Sequence, residues 1–285
     1  MSNRQPLSIQ LNGELLDISK PIVMGILNVT PDSFYSLSRA RSSISIARRA
    51  EQIINEGGDI IDVGGYSSRP GAEDISVAEE MARVRSALRE VRQVAPSALI
   101  SVDTFRSEVA AMSVEEFGAT IINDISSGEL DRSMFSTVAR LGVTYILMHM
   151  RGTPQTMHIK AQEQEDSKFM KEIFGHFAVR INELHELGVK DIILDPGFGF
   201  GKTMHQNFLL LRHLKEFKVF ELPILAGLSR KSMIYKTLGC TPEEALNGTT
   251  ALHTHALTQG ANILRVHDVK EAVECVELYR KVMNQ

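Results

Sequence analysis

Polar side chains recur in this sequence at one kind of place, the end of a short apolar run. The run at 22–27 ends in Asn28, that at 99–102 in Asp103, and that at 120–122 in Asn123 and Asp124. The run at 143–148 ends in His149 and that at 192–194 in Asp195. The run at 60–63 carries Asp62 within it. The run at 224–228 leads into Ser229, Arg230 and Lys231, and that at 261–266 contains Arg265 and leads into His267 and Asp268. Gathered at one mouth, these residues would line a pocket with carboxylates, carboxamides and cations. Asp, Asn and Ser at strand ends also serve as helix caps, and Asp124 and Asp268 read that way. Lys231, Arg265, His149 and His267 do not, because a cation at a helix N-terminus opposes the macrodipole and needs an anionic partner.

The elements that must position them follow from the runs themselves. These are rich in Ile, Val and Leu without apolar–polar alternation, as in parallel strands covered on both faces. Between them lie helical stripes. Ile46, Ala47, Ala50, Ile53 and Ile54 form one, closed by Gly57 and Gly58; Val77, Met81, Val84, Leu88 and Val91 form another, opened by a capping box of Ser76 and Glu79. Thr241-Pro242-Glu243-Glu244 and Asp268 with Glu271 read as two further helix starts. Eight strand–helix units without a linker predict an α/β fold, a single (β/α)8 TIM barrel of parallel strands forming one domain over 1–285, with its active site at the C-terminal rim. An open doubly wound sheet has the same alternation and is the competing architecture. Two connections after strands, 29–43 and 64–75, are long and belong to that rim.

The chain has 285 residues, 43% hydrophobic and 23% charged, which excludes disorder. A formal net charge of -4 and no basic block argue against a nucleic-acid partner. No stretch of about 20 apolar residues occurs, so neither a membrane span nor export is expected. Two cysteines, Cys240 and Cys275, fit a reducing compartment, and the expected location is cytoplasmic. Several motifs mislead. Gly197 to Thr203 resembles a P-loop, but Pro196 stands where the first glycine belongs. His253 and His255 point to different sides of a helix, and the acidic stretch 162–166 reads as a solvated helix start.

The motifs MGILNVTPDSF from Met24, DIIDVGGYSSRPG from Asp59, ISVDT from Ile100, IIND from Ile121, LMHMRGTPQTM from Leu147, LDPGFGFGK from Leu194, GLSRKSMI from Gly227 and ILRVHDV from Ile263 stand in one order over about 21–282. Together they resemble the dihydropteroate synthase family of pterin-binding barrels. The resemblance implies condensation of 6-hydroxymethyl-7,8-dihydropterin diphosphate with 4-aminobenzoate to 7,8-dihydropteroate, with release of diphosphate and with Mg²⁺ as cofactor. By that resemblance Asp103, Asn123, Asp195 and Lys231 bind the pterin. Asn28, Ser68, Arg69, Arg265 and His267 bind the diphosphate, with Asn28 as the Mg²⁺ ligand. Pro70, Phe200, Ser229 and Lys231 form the aminobenzoate site, and Lys231, Arg265 and His267 act in catalysis. Sulfonamide sensitivity and a homodimer through the late helices are implied as well.

The sequence departs from the family in its first two rim loops. Where the family reads S-F-S-D-G-G, this chain has Ser33, Phe34, Tyr35, Ser36, Leu37 and Ser38, so an acid is replaced by Ser36. Tyr66 and Ser68 stand where Glu and Thr are common. An active synthase would then use another solution, with Asp32 and Tyr35 as candidates. The alternatives are a pterin-binding paralogue impaired in catalysis and a pterin-dependent methyltransferase on the same barrel.

Overall fold

The computed structural model describes residues 7–11, 13–29, 39–68, 74–157, 161 and 163–283. Two short antiparallel strands come first, β1 (Ser8–Leu11) and β2 (Glu14–Asp17). Every apolar run then forms a parallel strand: β3 (Ile22–Asn28), β4 (Ile60–Gly64), β5 (Leu99–Asp103), β6 (Ile121–Asp124), β7 (Thr144–Met148), β8 (Ile192–Asp195), β9 (Leu225–Ala226) and β10 (Ile263–Val266). Each strand pairs with its neighbour in sequence from β3 to β8, and β10 pairs with both β9 and β3. A parallel bridge between Leu194 and Ile224, backed by Leu194 N–H donating to the Pro223 carbonyl at 2.8 Å, joins β8 to β9. The ring therefore closes, and the open sheet is excluded, since that fold reverses its strand order and leaves two edges.

The helices follow the strands: α1 (Arg39–Asn55), α2 (Val77–Val94), α3 (Ser107–Phe117), α4 (Met134–Leu141), α5 (Asp166–Glu186), α6 (Met204–Arg212), α7 (Ser232–Leu238), α8 (Leu246–Thr258) and α9 (Val269–Met283). Ser76 caps α2 by accepting from Glu79 N–H at 3.2 Å, but the Glu79 carboxylate turns to Arg83, so only half of the expected box forms. The helix expected at Thr241 is a turn. Its carbonyls at Pro242 and Glu243 accept from the Arg230 guanidinium, and the helix begins at Leu246. Asp268 and Asp124 spend their carboxylates elsewhere than on a helix start: Asp268 pairs with Arg230 at 2.8 Å, and Asp124 accepts from Ser126 N–H, Gly128 N–H and the Tyr145 hydroxyl. Among the described residues no helix is long and apolar enough to cross a membrane.

Alternate strand positions divide into two cores. Val23, Leu27, Ile61, Val63, Ile100, Val102, Ile122, Leu147, Ile192 and Leu264 face the helices. Ile22, Met24, Ile60, Ile121, Ile146, Ile193, Leu225 and Ile263 fill the barrel interior at its N-terminal end. The hairpin β1–β2 plugs that end with Ile9 and Leu11, joined by Ile18 just after it, a role the sequence reading did not foresee. Two residues further along β4, β5, β6, β8 and β10 the same inward face nears the other rim and turns polar, with Asp62, Ser101, Asn123, Asp195 and Arg265.

Candidate active site

Paired residues on neighbouring parallel strands present their side chains to the same face. The register pairs Asn28 with Gly64, Gly64 with Asp103, and Asp103 with Asn123. Four adjacent strands therefore set these residues side by side at one level of the barrel mouth. Gly64 leaves the space between its neighbours open, since a Cβ there would lie 3.0 Å from Asn28 Oδ1 and 3.5 Å from Asp103 Cβ. One step deeper lies Asp62, fully buried.

Arg265, on β10, enters this layer from the side. Its Nε donates to Asp62 Oδ2 at 2.7 Å and its Nη2 to Asp103 Oδ2 at 2.6 Å. Asn123 Nδ2 donates to the same Asp62 oxygen at 3.3 Å. Two carboxylates thus share one guanidinium. Burial works against the arginine's charge, but Asp62 and Asp103 outweigh it and raise its pKa further. Asp103 takes the opposite consequence. Burial, only partly offset by Arg265 and reinforced by the nearby Asp62, pushes its carboxyl up to about 7. Asp62 Oδ1 and the Ser101 hydroxyl beside it are buried with no partner in the protein. Buried polar atoms in that condition await a ligand or water.

The other half of the mouth is built around Asp195 at the end of β8. Gly227 separates it from Lys231, with a Cβ position 3.9 Å from Asp195 Oδ2 and 4.0 Å from Lys231 Nζ. Lys231 donates to the Phe198 carbonyl, and its ammonium stands 4.7 Å from the centroid of the Phe200 ring. Burial pulls the Lys231 pKa down to about 8 against the pull of Asp195, while burial raises that of Asp195 against the pull of Lys231. An acceptor and a donor of adjustable charge therefore face one space.

His149 and His267 are not cations here. Burial, with Arg265 next, pushes His267 down to about 4, and burial carries His149 well below its ordinary value. The Ser229 hydroxyl accepts from His267 N–H at 3.2 Å and lies 3.1 Å from its Nδ1. That hydroxyl has one proton and two lone pairs, so it can give its proton to Nδ1 or take one from it, and what meets Nε2 sets the tautomer of the neutral ring. Ser229 is thereby engaged with His267 and only 6% exposed.

The structure brings Asn28, Asp103, Asn123 and Arg265 into one group, Asp195, Lys231 and Phe200 into a second beside it, and pairs Ser229 with His267. Ser68 is half-buried in the second rim loop. Arg69, Pro70, Asp32, Tyr35 and Ser36 lie outside the described residues. Asp62 is the site residue to which the sequence reading gave no role. Its signal was a charge inside an apolar run, on the face that carries Ile60 and Gly64. Tyr66 is another: its hydroxyl accepts from Gln155 Nε2 at 2.7 Å and lies 3.1 Å from Asp74, tying the loop after β4 to the loop after β7.

Among the described residues, no three His, Cys, Asp or Glu side chains cluster as a metal cage. Mg²⁺ needs no such cage; one protein oxygen with substrate oxygens and waters suffices. The Asn28 carboxamide oxygen, with the cleft that Gly64 keeps free next to it, meets that requirement.

Comparison with known proteins places this geometry. The signature of the pterin binding enzyme family matches residues 24–267. Dihydropteroate synthase of Escherichia coli (strain K12) is 43% identical over 274 residues, 95% of each chain, and that of Synechocystis sp. is 40% identical over 95% of this chain and 93% of its own. The Yersinia pestis dihydropteroate synthase in complex with a sulfonamide drug superposes with a TM-score of 0.88 at 37% identity, over 98% of this chain and all of its own. The Xanthomonas albilineans enzyme with 4-aminobenzoic acid gives 0.88 at 33%, over 99% of this chain. A closed barrel whose inward face ends in paired carboxylates, a shared arginine and a buried lysine, with this likeness along nearly its full length, belongs to the pterin-binding enzyme family, among the dihydropteroate synthases.

Proposed function

We propose that Asp103, Asn123 and Asp195 accept hydrogen bonds from the amino-pyrimidinone edge of a dihydropterin and that Lys231 donates to its opposite side. A pterin edge offers N–H donors, and buried acceptors that pair with it discriminate strongly, because a ligand lacking those donors leaves them unsatisfied. The supporting observation is the inward layer Asn28–Gly64–Asp103–Asn123, flanked by Arg265 and facing Asp195 and Lys231. Phe200 forms an apolar wall for 4-aminobenzoate beside Lys231, and Pro70 and Ser229 serve the same substrate, so that a sulfonamide of similar shape competes there.

The diphosphate is held by Ser68, Arg69, Arg265 and His267. His267 meets the diphosphate as a neutral imidazole, in the tautomer that donates from Nε2, and Arg265, already paired with Asp62 and hydrogen-bonded to Asp103, contributes mainly direction. Asn28 holds Mg²⁺, which when bound neutralises charge on the diphosphate oxygens. Departure of the diphosphate breaks the methylene C–O bond, with the electron pair leaving on oxygen. The electron-rich dihydropterin carries the resulting methylene cation, the aromatic amine adds to it, and the nitrogen loses a proton. Donors aimed at the departing oxygens are worth most in this buried, low-dielectric mouth. The protein acts as one pterin-binding barrel domain over 1–285, as a homodimer in the cytoplasm.

The test is direct. With the pterin diphosphate, 4-aminobenzoate and Mg²⁺ supplied together, 7,8-dihydropteroate should form, and Asp195→Asn should lose pterin binding. Pterin bound without product would instead favour an impaired paralogue.

A further inference from the structure

Lys202 belongs to the glycine-rich stretch that resembles a P-loop, and it does nothing a P-loop lysine does. It is 6% exposed, and its Nζ donates to the carbonyls of Gly197 at 2.8 Å, His149 at 2.9 Å and Phe200 at 3.2 Å. Three acceptors require three N–H donors, which the ammonium has and the neutral amine lacks. His149 directly follows β7 while Gly197 and Phe200 follow β8, so one ammonium joins two strand ends. Gly197 permits the approach: at φ +70°, a Cβ there would sit 2.0 Å from the His149 carbonyl oxygen. On its far side the segment is fastened by Asn207, which accepts from Gly199 N–H at 2.6 Å and donates to the Thr203 carbonyl at 2.7 Å.

What this segment holds are the two groups at that side of the mouth. Gly197 N–H donates to Asp195 Oδ1 at 2.7 Å, and Phe198 and Phe200 supply the carbonyl and the ring that meet Lys231. We propose that Lys202 is a positioning residue of the pterin site, whose ammonium stitches the segment after β8 to the end of β7 and stands as a counter-charge behind Asp195. The inference rests on Asp195 being an acceptor for the pterin edge.

The charges around the pair set the direction of the effect. Asp195 is faced by Lys231, Arg265 and Lys202, which oppose the upward push of burial on its carboxyl. Burial pulls the Lys202 pKa well below its ordinary value, and Lys231 and Arg151 act the same way; Asp195, Glu172 and the three carbonyls it donates to hold its proton, with the neutral imidazoles of His149 and His176 adjoining. Removing the charge at 202 leaves one cation fewer to keep Asp195 ionised, so the carboxylate is lost at a higher pH.

Binding of 6-hydroxymethylpterin is measured from pH 5 to 9 for the unaltered protein, Lys202→Gln and Lys202→Arg, with urea unfolding to establish that each is folded. Lys202→Gln keeps two donors and drops the charge; its acid limb should move up by about half a pH unit or more. Lys202→Arg should keep the limb in place whatever its affinity. Equal weakening in both with an unmoved limb, or no change in either, overturns the proposal. A second reading needs no Gln variant to fold: the ¹⁵N resonance of the Lys202 Nζ in the unaltered protein, assigned by its absence in Lys202→Arg. An ammonium signal at pH 7 that shifts on adding the pterin supports the counter-charge, and a neutral amine overturns it. Asp195→Asn separates the two readings, since unchanged pterin binding there defeats the role of Asp195 itself, whatever Lys202 does.

Discussion

Asp103→Asn should make the protein more stable at alkaline pH while impairing its site. The folded chain holds the Asp103 proton up to about pH 7, where the ordinary value is 3.8. A raised folded pKa contributes stability that is complete below the unfolded value and is lost as pH climbs through the folded one. Between about pH 4 and 7 the wild type should therefore lose stability relative to a variant that cannot ionise. Roughly 3 units at 1.36 kcal/mol each give an upper bound of about 4 kcal/mol. The side chain is 23% exposed and shares Arg265 with Asp62, so solvent and the shared cation reduce this to about 2 kcal/mol.

The opposing effect is the loss of a charge-assisted bond from Arg265 Nη2. It is smaller here than where a buried cation loses its only partner, because Asp62 remains 2.7 Å from Nε and the Asn carbonyl can still accept. Urea unfolding at pH 4, 6 and 8 should give similar stabilities at pH 4 and a gain of about 1–2 kcal/mol for the variant at pH 8. Pterin affinity should meanwhile fall roughly 10- to 100-fold, the loss of one buried acceptor. A variant whose deficit against the wild type grows as pH rises would mean that the ion pair and not the buried charge dominates at this position.

Three further outcomes follow from the same geometry. The wild-type kcat/KM should fall above pH ~8 as Lys231 loses its proton, and Lys231→Arg should carry that limb beyond pH 10 at reduced amplitude. Gly64→Ala places a methyl 3.0 Å from Asn28 Oδ1, so the Mg²⁺ concentration for half-maximal activity should rise several-fold with pterin affinity nearly unchanged; a loss of pterin binding instead would put the methyl's effect on Asp103. Ile9→Ala, in the plug beneath the barrel, should cost about 2–4 kcal/mol of unfolding free energy and leave kcat unaltered, a contrast read by urea titration alongside the assay.

The barrel was legible because its strands are covered on both faces, and such strands read as unbroken Ile, Val and Leu runs, found within about two residues at 22–28 and 99–103. The plug at 8–17 was not. Four-residue strands exposed on one side carry too little pattern, and their role depends on an opening made by eight distant elements. Asp124, Asp268 and Thr241 show a second limit. Each has the chemistry of a cap. Tyr145 and Arg230 claim Asp124 and Asp268 from positions that only the folded chain brings near, while the Arg230 guanidinium takes the Pro242 and Glu243 carbonyls of the turn after Thr241. Local preference states what a side chain can accept, and tertiary contact decides from whom.

The site had the same split character. Residue type announced that acids, amides and cations would meet at the strand ends, and the register does set Asn28, Asp103 and Asn123 side by side. It could not announce how their charges settle. Counted from the sequence, Arg265 and His267 are two positive groups awaiting an anion. Folded, the arginine is already paired with Asp62 and bonded to Asp103, and the imidazole is neutral. At these two positions the attraction for a diphosphate then comes from directed N–H groups more than from stored positive charge, which leaves charge to Arg69 and a bound divalent ion. Binding of the diphosphate substrate in the absence of Mg²⁺ should accordingly show only a shallow salt dependence, whereas a mouth with two free cations would lose affinity steeply as ionic strength rises.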